Sequence, residues 1–304
     1  MRGRGASGPV PKVERMPDPT CKLLMPTVLS VQSRVAYGHV GNAAAVFPLQ
    51  CLGIEAWTLD TVAFSNHTGH GRWRGDVVAA ETVAALFEGI ADLGVLPSID
   101  AVLSGYIGTA ETGAVLLDIV TRVKAANPSA LFCCDPVIGD TDTGSYVREG
   151  VAEFFRDAAL GLGDIVTPNR FELEYLTGRS IGSFAEAAEA AAMLRDRGPA
   201  IVLVTSLDTT PDHLTMLASG PDGAWVVETP RLPVMLNGCG DVTAALFLGH
   251  LLNGDDLPAT LAATAASMFA VIKTTVGLGR YELALVASRD ALAWPGRSFQ
   301  ARRV

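Results

Sequence analysis

The chain has 304 residues, 49% of them hydrophobic and 18% charged, which is enough for one large α/β domain or two modest ones. A formal charge of −9, with 32 acidic against 23 basic residues, argues against a nucleic-acid surface. It leaves room for an anionic ligand held by backbone N–H groups. Five cysteines without a C-x-x-C pair, and no histidine at zinc spacing, argue against structural zinc.

The first 22 residues, MRGRGASGPVPKVERMPDPTCK, carry basic residues but no apolar signal core, and their Gly and Pro content predicts a disordered leader. The domain is then expected over 23–304. "TVLSVQS" (Thr27–Ser33) predicts a buried strand, followed by a helix over Asn42–Leu52. Further strands are predicted at Glu55–Leu59, Ala101–Ser104, Ala130–Asp135, Ile165–Thr167 and Ala200–Thr205. Helices are predicted between them at Val77–Leu93, Glu111–Ala126, Phe171–Thr177 and Phe184–Arg197. Leu214–Ala218 and Ala224–Glu228, separated by SGPDG, predict a hairpin. The chain ends in helices at Val242–Leu252 and Leu257–Thr275 and a short piece near Leu283–Ser288. Strand–helix alternation of this kind implies α/β architecture, a mostly parallel sheet with helices on both faces. No linker or internal repeat divides the body, so one domain is expected. No apolar run approaches the ~18 residues of a membrane span. Without a secretory signal, the odd cysteine count reads as reduced thiols in the cytoplasm.

Ligands collect at the carboxyl ends of such strands. Ser33, Gly105-Tyr106, Asp135, Thr167 with Asn169, and Thr205-Ser206 are all predicted there. The chain has no Gly-Lys of a phosphate-binding P-loop, and no G-x-G-x-x-G after its first strand. It has instead Gly238-Cys239-Gly240 ahead of an apolar helix, a turn whose N–H groups can stabilise charge on a transferring phosphoryl group. Asp241 beside it is either an ordinary helix cap or a base that accepts a hydroxyl proton.

Five segments together carry a resemblance: SVQSRVAYGHVGNAAAVFPLQCLGIEAWTLDTVAFSNHTGHGRW (Ser30–Trp73), AVLSGYIG, CDPVIGDTDTGSYV, TPNRFELEYLTG and NGCGDVTAALFLG. They resemble the pyridoxal kinases of the ribokinase superfamily, from about Thr27 to about Val286. The resemblance implies ATP-dependent phosphorylation of the 5′-hydroxymethyl group of pyridoxal, and of pyridoxine and pyridoxamine. It implies Asp241 as the base and Gly238–Gly240 as the anion hole, with Ser33, Val62, Thr68, Gly69 and Tyr106 around the vitamin. For ATP it implies Asp135, Tyr146, Thr167, Asn169, Glu172, Thr205, Ser206 and the run Arg231, Leu232, Pro233 and Val234. Asp135, Asp140 and Glu172 match acids that act on Mg²⁺, while Asp135, Thr167 and Thr205 resemble a K⁺ or Na⁺ site. A homodimer is implied too, with no nucleic-acid or membrane partner.

Other readings stay open at this point. The acceptor could be hydroxymethylpyrimidine or another small molecule, or the chain could bind the vitamin without catalysis. Glu172 also fits a first-turn helix acid, and Asp140 a turn residue. Cys239 stands where the family has Thr or Val; a thiol at a helix N-terminus is either inert packing or acidified and oxidisable. Thr205 replaces the Lys of one bacterial branch, which shifts the expected charge balance toward metal ions. The five histidines are expected to be no metal ligands, since Mg²⁺ prefers oxygen.

Overall fold

The computed structural model describes residues 25–209 and 212–304. The expected leader and Cys21 lie outside the described residues. Strand β1 spans Thr27–Tyr37, and its first six residues are fully buried. Such a run, covered on both faces, belongs to a central parallel strand. Helix α1 (Asn42–Cys51) returns the chain to β2 (Glu55–Asn66), which pairs parallel to β1. Both strands run well past their predicted ends, because Arg34–Tyr37 and Val62–Asn66 continue as an extended ribbon edged by β3 (Gly75–Val77). Val77 therefore pairs with Val62 in a strand, and helix α2 begins only at Ala80 and ends at Asp92.

The next units follow the predicted order: β4 (Ala101–Ser104), α3 (Ala110–Ala126) and β5 (Leu131–Cys134). A small hairpin of β6 (Gly139–Asp140) and β7 (Gly144–Ser145) comes next. A helix absent from the sequence expectation follows, α4 (Val151–Phe154), extended by a wide turn at Phe155–Ala159 and a tight one at Leu160–Leu162. Then come β8 (Ile165–Val166), α5 (Arg170–Thr177), α6 (Phe184–Arg195) and β9 (Ile201–Thr209). The predicted hairpin is β10 (His213–Gly220) with β11 (Gly223–Pro230), antiparallel throughout. Helices α7 (Cys239–Leu252), α8 (Leu257–Gly277) and α9 (Arg289–Ala293) close the body, and a last strand, β12 (Arg302–Arg303), pairs with β11.

The ten-stranded sheet runs β12-β11-β10-β9-β8-β5-β4-β1-β2-β3. From β9 across to β2 every neighbouring pair is parallel. One apolar core, with Phe87, Leu116, Phe132, Phe155 and Leu194, fills one face. The other, with Leu49, Phe247, Leu248 and Leu261, lies under α1, α7 and α8. Helix α8 corrects the expectation about apolar runs: by length and composition it could cross a membrane. Its small Ala, Thr and Ser residues instead let it pack closely on α7, β10 and β11, and half of its apolar stretch is buried there.

The strand order reverses at β1, which lies between β4 and β2. That is the topological switch point at which open α/β sheets form ligand clefts. Two register irregularities interrupt the sheet, the first at the switch point itself and the second four strands away. One lies between Gln32 and Arg34 in β1, and the other opposite Met216, where Ser206 of β9 takes φ 49°. Bulges of this kind re-aim side chains next to functional sites.

Candidate active site

Asp135 and Thr167 follow β5 and β8, Thr205 and Ser206 lie in β9, and Gly238–Asp241 open α7. Asp135 follows β5 and is almost wholly buried, and its Oδ1 accepts the Thr167 hydroxyl at 2.9 Å. Its Oδ2 faces the Gly238–Gly240 turn, since a methyl placed on Gly240 would stand 4.0 Å from it. Burial, with the Asp241 charge adding to it, pushes the Asp135 carboxyl up to about 8. Asp241 itself is pushed up to about 6 by burial, opposed by a hydrogen bond from the Gly41 N–H. Two acids thus crowd one point, and a cation bound there would relieve the repulsion that raises the Asp135 pKa.

The start of α7 bears on the two sequence readings of Asp241. No side chain caps this helix, and Gly238 at its N-cap takes φ 84°, the left-handed region that favours glycine. No side-chain cap bond is made at Gly238, and the Gly41 N–H stands close enough to the Asp241 carboxylate to lower its pKa. The first N–H groups of α7 therefore have no side-chain partner, as in helix ends that receive anions. The turn is tightly seated. A methyl on Gly238 would lie 1.9 Å from the carbonyl oxygen of His39, and one on Gly41 would lie 2.0 Å from that of Ser33. Neither Gly41 nor His39 was a candidate site residue in the sequence, although both belong to the YGHVGN segment and Gly41 lies beside Asp241.

Glu172 has a structural task. It forms a capping box with Asn169: Asn169 N–H donates to Oε2 at 2.9 Å, and Glu172 N–H donates back to Asn169 Oδ1 at 2.9 Å. Its Oε1 accepts the N–H groups of Ile138 at 2.9 Å and Gly139 at 3.4 Å. The side chain thereby fastens the β5–β6 connection to the start of α5, and burial with the nearby Asp135 raises its pKa. Asn169 adds a bond from Nδ2 to Gly139 O at 2.8 Å, and forms a bridge to Thr205, whose N–H donates to Pro168 O at 2.9 Å. Thr205 and Ser206 lie within β9, not after it.

Tyr146 follows the β6–β7 hairpin and is exposed as a residue, while partial desolvation of its hydroxyl and the charges of Glu172, Asp135, Asp241 and Asp140 raise its pKa. Asp140 is exposed on β6. Among the described residues no three His, Cys, Asp or Glu side chains come close enough to form a metal cage, so Asp140 does not join Asp135 and Glu172 in one. Arg231, Leu232, Pro233 and Val234 form the connection from β11 to α7, with Arg231 N–H bonded to Asp212 O at 2.8 Å.

The remaining expected residues line the edge formed by β1, β2 and β4. Ser33 sits on the β1 irregularity, half-buried, with Gly41 against it. Val62 is buried beneath Gly108, and Tyr106, half-buried after β4, accepts the Thr61 hydroxyl on its carbonyl at 2.6 Å. Thr68 and Gly69 form an exposed helical turn with His70, capped by His67 Nδ1 accepting from Gly69 N–H at 3.1 Å.

The expectation of free thiols holds for Cys51, Cys133, Cys134 and Cys239. Of the two readings of Cys239, inert packing is the one favoured: desolvation and the Asp241 charge push its thiol up to about 12.

The family model of phosphomethylpyrimidine kinase matches residues 48–285. The chain is 53% identical over 281 residues to pyridoxal kinase PdxY of Rubrobacter xylanophilus, covering 91% of this chain and 97% of that one. It is 49% identical over 282 residues to pyridoxal kinase PdxY of Granulibacter bethesdensis, covering 90% and 99%. Among solved structures it is similar to the pyridoxal kinase from Leishmania donovani in complex with ADP and pyridoxine, with a TM-score of 0.86, 30% identity and coverage of 91% and 99%. The same kinase in complex with ADP and pyridoxamine gives a TM-score of 0.86 at 29% identity, again covering 91% and 99%. With most of its length matched at this level, the chain belongs to the pyridoxal kinases, within the phosphomethylpyrimidine kinase family.

Proposed function

We propose that the chain transfers the γ-phosphoryl group of ATP to the 5′-hydroxymethyl oxygen of pyridoxal, and also of pyridoxine and pyridoxamine. The observation that carries the reading is the start of α7: no side chain caps it, and Asp241 lies beside Gly41. In the reaction Asp241 takes the proton of the vitamin alcohol as its oxygen attacks the γ-phosphorus. The bond from that phosphorus to the β,γ-bridging oxygen breaks, and ADP leaves. Backbone N–H groups of Gly238, Cys239 and Gly240 receive the charge that spreads over the phosphoryl oxygens. On this reading Ser33, Val62, Thr68, Gly69 and Tyr106 surround the vitamin, while Tyr146, Asn169, Thr205, Ser206 and Arg231–Val234 meet the nucleotide.

The Asp135 carboxylate and the Thr167 hydroxyl bonded to it offer oxygen, which fits Mg²⁺, and Mg²⁺ on nucleotide phosphates needs only one or two carboxylates from protein. Asp135 would hold it directly. Glu172, with both oxygens already engaged by N–H groups, would act through water, and Asp140 from the rim. Bound there, Mg²⁺ supplies neutralisation of the β- and γ-phosphates. Thr167 and Thr205, with Asp135, would hold K⁺ or Na⁺. A cytoplasmic homodimer completes the reading, on the family resemblance.

The test measures acceptor choice. Turnover with ATP and Mg²⁺ is followed by the absorbance of pyridoxal 5′-phosphate beside hydroxymethylpyrimidine as a competing alcohol. Preference for pyridoxal is expected; preference for the pyrimidine, which the family model's own description makes the second reading, would overturn the choice of acceptor.

A further inference from the structure

The connection between α8 and α9 carries a carboxylate that phosphoryl transfer leaves unused. Glu282 reaches out of the segment Tyr281–Leu285 and keeps only 14% of its side chain exposed. Its Oε1 lies 2.6 Å from Nε2 of His70, and its Oε2 accepts the N–H of His39 at 3.2 Å. The approach depends on Gly38, where φ is +91° and a methyl would stand 2.2 Å from Oε2. One side chain thus ties three segments of distant sequence.

Both partners of that carboxylate border the site. The carbonyl of His39 is the group on which Gly238 of the anion-hole turn is seated. His70 closes the turn that holds Thr68 and Gly69, and a methyl on Gly69 would meet Asn237 Nδ2 at 3.4 Å. The Tyr37 ring packs edge-on against His70 with centroids 6.0 Å apart. Leu283, next to Glu282, is fully buried and lies 3.4 Å from where that Gly238 methyl would be. Thr167 follows β8, Asn169 caps α5 and Thr205 lies in β9, so all three stand beyond β4 and β5 in the sheet from β1.

We propose that Glu282 is a positioning residue for the acceptor: through His70 and His39 it fastens the Thr68–His70 turn to the β1–α1 loop and holds the vitamin side of the cleft in place. The inference rests on the reading of the chain as a kinase of B6 vitamers. It predicts an effect on the alcohol substrate and not on the nucleotide. Losing a partly buried charge-assisted hydrogen bond weakens the held geometry by about tenfold in affinity.

The experiment uses the full chain with Glu282→Ala, Glu282→Gln and His70→Ala. KM for pyridoxal and for ATP are measured separately, beside melting temperature and the equilibrium binding of each ligand by calorimetry. Glu282→Ala is expected to raise the pyridoxal KM and Kd about tenfold and to leave those for ATP within about twofold. His70→Ala is expected to do the same more weakly, since the His39 bond survives. Glu282→Gln, whose amide can accept from His39 and donate to a neutral His70, is expected to recover most of the loss. Equal changes for both ligands, or an unchanged pyridoxal KM, would overturn the positioning role. Wild-type protein that binds pyridoxal without turnover removes the kinase reading and leaves this role to the calorimetry. Protein that binds no pyridoxal removes both.

Discussion

Asp241→Asn separates the cost of the desolvated carboxylate from its proposed use as a base. The amide keeps the size of the side chain and an oxygen for the Gly41 N–H, and it removes the charge. Asp241 is pushed from 3.8 to about 6, roughly two pKa units at ~1.36 kcal/mol each, so its ionised form costs the fold about 3 kcal/mol. The folded pKa lies above the unfolded one, so the penalty is absent below about pH 4, grows toward pH 6 and is complete above it. An asparagine avoids it and also relieves Asp135 of a neighbouring charge. The ligand-free variant should therefore melt about 5–10 °C higher than wild type near pH 8, with the gap closing toward pH 4. Its kcat should fall by about 10²–10⁴ while pyridoxal still binds. Thermal melts at the two pH values, with steady-state turnover, read both effects. A variant that is less stable at pH 8, or that turns over within about tenfold of wild type, would refute the reasoning.

Two other substitutions probe the turn. Gly238→Ala puts a methyl 1.9 Å from the His39 carbonyl at a residue with φ 84°, so the turn or the loop must move by about 1 Å. Displacement of that size is expected to cost about 10² in kcat, with a lower melting temperature; wild-type kinetics would mean the anion hole lies elsewhere. On the proposed reading Cys239 contributes only its N–H, since desolvation and the Asp241 charge raise the pKa of its thiol. Cys239→Ala should keep kcat within about twofold, and iodoacetamide near pH 7.5 should inactivate wild type slowly and without protection by ATP. Rapid, ATP-protected inactivation would contradict this.

The alternation of short apolar strands with helices was legible from composition and spacing, and so was the parallel centre from β9 to β2. The missed elements have physical reasons. Val77 reads as a helix start by its apolar neighbours, yet it pairs across to Val62, a contact that no local pattern encodes. The helix at Val151–Phe154 is short, and glycines at 150, 161 and 163 mask its pattern. β12 rests on two arginines that pair with Trp225 and Val226 at a distance in sequence. At the site, Asp135, Asp241 and Thr167 were visible because strand ends and a Gly-x-Gly turn mark them. The double use of Glu172 was half visible: Asn169 three residues earlier is a capping-box signature, whereas its bonds to Ile138 and Gly139 depend on the sheet order. Gly41 and Glu282 act only through tertiary contact, one on Asp241 and the other on His39 and His70.

The central claim is that a buried carboxylate at the head of α7 takes the proton of the vitamin alcohol. The pH dependence of kcat/KM for pyridoxal, at saturating ATP and Mg²⁺, tests it most directly. With Asp241 pushed up to about 6, activity should fall below that pH by about tenfold per unit. The residual activity of Asp241→Asn should lack the break. A profile flat between about pH 5 and 7, or a break that persists in the Asp241→Asn variant, would contradict the account.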